Sequence, residues 1–84
     1  MSMKEVAELQ DGEFFVHSYD DCHIHVVLRQ VCEGGGETGA LDYVETQEYA
    51  RREGDKIVLL YGRYPERCNP YAMVTPLNLA VREA

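Results

Sequence analysis

Tryptophan is absent from this sequence, proline occurs only three times, and the longest apolar run, Ile57 to Tyr61, is far shorter than a membrane span requires. The opening residues, Met1-Ser2-Met3-Lys4-Glu5-Val6, lack the apolar stretch of a secretory signal. Three cysteines, Cys22, Cys32 and Cys68, are an odd number and too few for a disulfide framework. These absences predict a cytoplasmic protein with reduced thiols and no membrane association. Basic residues are scarce as well, 8 against 15 acids, for a net charge of -7. Direct DNA binding through phosphate neutralisation is therefore not expected. The one glycine-rich stretch, Glu33-Gly34-Gly35-Gly36-Glu37-Thr38-Gly39, lacks the Lys and Ser/Thr that follow a phosphate-binding loop, and it reads as a mobile loop or a hinge.

What is present fits one domain over residues 1–84, since two cores within 84 residues would each be too small. An apolar fraction of 45% is enough for folding. So short a chain has a thin margin, which makes a homodimer a natural supplement. The charges are segregated along the chain: residues 1–28 carry -5, residues 29–50 carry -4 and residues 51–84 carry +2.

Periodicity predicts an α+β fold in the order α-β-β-α-β-β-α, a small antiparallel sheet of about four strands with two or three helices. The first ten residues read as a short helix with Met3, Val6 and Ala7 on one side. Glu13–Tyr19 and Cys22–Val31 alternate as a hairpin turning at Asp20-Asp21. That pairing places Phe15, His17, Tyr19, Cys22, Ile24, Val26 and Leu28 on a buried face, and His23, His25 and Val27 on the other. Ala40 to Arg52 reads as a helix on the spacing of Ala40, Tyr43, Val44, Gln47 and Ala50, with Thr38 and Gly54 as caps. A strand at Leu41–Glu45 before a shorter helix is the competing reading. Lys56 to Gly62 suggests a central strand, Arg63 to Pro70 a loop, and Tyr71 to Thr75 a further strand. Thr75-Pro76 would then open a last helix carrying Leu77, Ala80 and Val81.

Chemistry-bearing patterns are few. His23 and His25, two apart on a strand, point the same way and could meet one metal ion, but a zinc site needs a third ligand and the strand supplies Val27 instead. Metal, cofactor and catalytic residues are accordingly none, and the chain is not expected to be an enzyme. Cys22 adjoins His23, yet strand geometry sends neighbours to opposite faces. Residues 61–71 carry three tyrosines and two arginines, types that concentrate at interface hot spots.

The reading that results is a small acidic, non-catalytic protein-binding module. Its candidate contacts are the carboxylates Glu13, Asp20, Asp21, Glu33, Glu37, Asp42, Glu45 and Glu48, together with Arg63, Tyr64, Arg67 and Tyr71. The acids would meet a protein partner with a basic surface, such as a nucleic-acid-handling complex, by mimicry of its substrate. Size and acidity are those of small phage-encoded inhibitors, anti-CRISPR proteins among them, although no motif marks such a family. A small acidic transcription regulator and a metal-binding module on His23/His25 are the alternatives.

Overall fold

The computed structural model describes residues 3–32 and 41–78. Seven strands run through them: β1 (Lys4–Glu5), β2 (Phe14–His17), β3 (Asp20–Val31), β4 (Tyr43–Glu53), β5 (Lys56–Leu59), β6 (Glu66–Cys68) and β7 (Met73–Leu77). All pair antiparallel in one sheet of order β1-β7-β2-β3-β4-β5, with β6 also on β4. Among the described residues the only helical segment is a three-residue 3-10 turn, Val6–Glu8. The fold is thus nearly all β, and the α+β expectation is overturned.

Each misplaced helix has a physical cause. Residues 43–53 form a strand because β3 offers a twelve-residue partner and Tyr43, Val44, Thr46 and Tyr49 favour extended backbone. Their buried members serve both faces: Val44 and Thr46 lie on one, and a register shift at Tyr49 puts Ala50 on the other. The helical spacing was a by-product of these same residues. Gly54 caps no helix. It takes φ +61 in the two-residue turn between β4 and β5, where a hairpin favours glycine at the first central position. At the N-terminus, Val6 and Leu9 are buried by the 3-10 turn, whose capping box joins Glu5 and Glu8. Thr75 and Pro76 lie inside β7, so no helix starts there. Ala80, Val81, Thr38 and the glycine-rich loop fall outside the described residues.

The first hairpin exists, but it turns at Ser18-Tyr19, with His17 opposite Asp20 and Phe15 opposite His25. The Asp20 side chain explains the shift. Its Oδ1 accepts hydrogen bonds from the Cys22 and His23 backbone N–H groups at 3.1 and 3.4 Å, which curls the start of β3 so that several residues bulge opposite Val16.

Cross-strand partners share a face, so the registers sort the side chains into two layers. One face joins Phe15, Val27, Val44 and Val74, covered by Val6 and Leu9. The other joins Val16, Ile24 and Ala50, flanked by Phe14, Tyr49 and Leu77. Burying Phe15 contributes about 2–3 kcal/mol. Gln30 Nε2 ties the 3-10 segment to the sheet, donating to the Ala7 and Leu9 carbonyls at 2.7 and 3.2 Å. Cys22, expected among buried residues, is exposed, and none of the three cysteines is in a disulfide. No helix among the described residues is long and apolar enough to cross a membrane.

Candidate functional site

The outer side of β4 is shared by two short strands: β5 pairs with residues 50–53 and β6 with residues 44–46. Lys56 to Gly62, expected at the sheet's centre, instead contributes a four-residue strand at its edge. The chain between β5 and β6 must therefore run along β4, and it is pinned there. Gln47 Nε2 donates to the Arg63 carbonyl, and Arg63 Nε lies 3.5 Å from Glu48 Oε2. With Arg63 held at two successive β4 residues, the flanking tyrosines are left outside: Tyr61 is 83% and Tyr64 86% exposed. A shallow cleft of about 310 Å³ opens between Glu48, Gly62, Arg63, Tyr64 and Glu66. Gly62, at φ +71, makes the sharp turn between the two tyrosines that no other residue type would make as easily.

The arginines and tyrosines of this segment thus divide their labour. Arg67 sits over the Tyr43 ring, its guanidinium carbon 4.6 Å from the centroid, and steadies β6 against β4. Tyr71 is exposed, its backbone N–H donating to Asn69 Oδ1 at 2.9 Å. Sequence alone put the arginines and tyrosines on equal footing; pairing shows the arginines bracing the segment and the tyrosines facing solvent.

The carboxylates do not assemble into one surface. Glu33 and Glu37 lie outside the described residues. Glu13 accepts from the Gln10 backbone N–H at 2.9 Å in the turn before β2. Asp20 and Asp21 stand at the opposite end of that hairpin, with Asp20 Oδ2 2.8 Å from His23 Nδ1. That hydrogen bond, with the backbone N–H donors, holds the Asp20 carboxyl below its ordinary value against desolvation. Asp42 precedes β4 at the far end of the sheet and is exposed. Glu45 and Glu48 belong to opposite faces of β4 and each meets an arginine, Arg29 at 3.3 Å and Arg63 at 3.5 Å.

The histidines go separate ways. His23 bonds to Asp20, whereas His25 is buried, 6% exposed, with its ring stacked on Phe15 and edge-on to His17 (centroids 5.4 and 4.8 Å). Tyr19 stacks on the outer side of His17 at 4.9 Å. Burial first, then the neighbouring His17, pushes the His25 pKa down; burial likewise lowers His17. His25 Nδ1 is buried with no hydrogen-bond partner. Among the described residues no group of three His, Cys, Asp or Glu side chains can hold a metal ion. This four-ring cluster was missed by the sequence reading because a one-residue error in register put His25 on the wrong face. The alternation of Phe15, His17 and Tyr19 was the signal that could have found it. The Cys68 thiol, half-buried, is pushed up by desolvation and by Glu66.

No family model matches the chain, and neither a curated protein nor a solved structure is similar enough to it to indicate a relationship.

Proposed function

We propose that the chain is a small acidic, non-catalytic protein-binding module that meets its partner through the outer edge of the sheet, residues 57–71. The observation that carries this reading is the pair of outward tyrosines, Tyr61 and Tyr64, on a segment fastened at Arg63. Exposed tyrosines on a braced backbone offer wide contact area and lose little conformational freedom on binding. Ile57 and Leu59, 48% and 45% exposed, extend the same edge with apolar surface. Capture of a basic partner by massed carboxylates has less support. The six described acids nominated for it are spread over both ends and both faces of the sheet, and two of them face arginines.

The test is affinity capture from cells of the native host with the tagged chain and with the Tyr61→Ser, Tyr64→Ser double variant. Removing two hot-spot tyrosines should weaken a captured complex by about 30-fold or more, while the variant's unfolding midpoint stays within the small range of surface changes. Equal capture by both proteins would refute the reading.

A further inference from the structure

The edge strand beneath these tyrosines has its own geometry. Among the described residues β5 hydrogen-bonds to β4 alone, so its other side presents unpaired backbone groups. Antiparallel ladders alternate bonded and non-bonded pairs. The Leu60 backbone N–H donates to the Tyr49 carbonyl at 2.9 Å. Stepping back by two along the register makes Val58 and Lys56 the residues bonded to β4, at Arg51 and Glu53. Ile57 and Leu59 therefore direct their N–H and C=O groups outward. Their side chains lie on the face that holds Ala50, since Leu59 is opposite Ala50 and Ile57 is opposite Arg52. Main-chain donors and acceptors and two half-exposed apolar side chains thus come from the same two residues.

The charge at this edge is opposite to that of the molecule. In a chain of net charge -7, Lys56 on β5 and Arg52 on β4, opposite Ile57, are exposed at the hairpin end on opposite faces, neither is ion-paired with a described residue, and with the exposed turn residue Asp55 they leave a charge of +1 there. Arg51 beside them is paired with Glu53. A hairpin end of net positive charge, with Lys56 on the edge strand itself, favours an extended ligand with carboxylates at the matching end. A second copy of this chain would bring an edge of the same sign.

We infer that β5 accepts an extended segment of a protein partner as an added strand, with apolar side chains at alternate positions against Ile57 and Leu59 and acidic side chains beside Arg52 and Lys56. This rests on the protein-binding reading above and names the chemistry of the partner's segment. Strand addition draws affinity from main-chain hydrogen bonds and specificity from alternate side chains.

The probe is a capped, fluorescein-labelled decapeptide that alternates valine and threonine and carries two aspartates at one end; its counterpart carries two lysines there. Fluorescence anisotropy with the full chain should show the aspartate peptide bound about tenfold more tightly, the size of two exposed ion pairs. The Arg52→Glu, Lys56→Glu variant should reverse that preference. Leu59→Pro removes an outward N–H without touching a β4–β5 bond and should abolish binding of both peptides, with far-UV circular dichroism confirming the sheet. If that variant does not fold, the charge-reversal pair alone decides. Equal binding of the two peptides, no binding of either, or a dimer in sedimentation that Leu59→Pro dissolves would each overturn the inference. Loss of the cellular partner on Tyr61→Ser, Tyr64→Ser with no peptide binding would remove strand addition only. Retained capture by that variant would remove the broader reading.

Discussion

Replacing His25 by leucine should make this protein more stable, and the gain should grow as the pH falls. His25 is almost wholly buried, and its Nδ1 finds no partner. An unsatisfied buried polar atom costs about 1–3 kcal/mol. Leucine removes that atom but forfeits the stacking on Phe15, worth about 0.5–1.5 kcal/mol. The net expectation is a gain of about 1 kcal/mol near neutral pH, or roughly 4–8 °C in Tm for a domain of this size. The pH dependence follows from the depressed pKa. Burial, then His17, keep the folded ring neutral; Glu48 and Glu66 oppose them weakly, and His23 adds a little. The unfolded chain therefore takes up the proton first as pH falls below the ordinary histidine value. Native stability drops from there, by at most about 1.4 kcal/mol per pH unit for this group, and the loss stops once the folded ring is protonated too. Leucine at position 25 removes this dependence, leaving that of His17, whose pKa is also lowered by burial. Urea unfolding followed by far-UV circular dichroism near pH 7.5 and about pH 5.5 measures both effects; tyrosine emission can serve as a second probe, since the chain has no tryptophan. A variant less stable than the parent at both pH values, or one with a parallel pH profile, would refute the claim that His25 sits neutral and unsatisfied in the core.

Two further substitutions test the packing. Phe15→Ala opens a cavity beneath Val6, Leu9 and Val74 and should cost about 3–5 kcal/mol, a large part of the margin of a domain this small; a shift below about 1 kcal/mol in urea unfolding would show that Phe15 is not central to the core. Gln30→Ala strips the donor shared by the Ala7 and Leu9 carbonyls and should cost about 1–2 kcal/mol. Hydrogen exchange should show the loss at residues 6–9, with β3 and β4 protected as before; uniform weakening across the sheet would contradict a local tether.

Much of the local structure is legible in the residues. The alternation from Glu13 to Val31 marks a hairpin, and the strand-forming run near Lys56 marks a strand. Pro65, Asn69 and Pro70 bracket a segment that is irregular apart from three residues. The concentration of tyrosines and arginines in residues 61–71 is legible too, but not which of them pack and which face solvent. Register was beyond reach, because it depends on where Asp20 directs its carboxylate, and a slip of one residue moves His25 from one face to the other.

Residues 43–52 show the limit most clearly. Their apolar positions fit a helix stripe and, with one bulge, an alternating strand; local preference separates the two by little, and pairing along β3 decides. The overall charge and its segregation along the chain were determined by sequence alone. Whether the acids would form one surface, and whether Lys56 to Gly62 would be central or at an edge, were decided by the tertiary structure. Both depend on which strands become neighbours, and neighbours in a sheet are chosen by contacts between residues far apart in the chain.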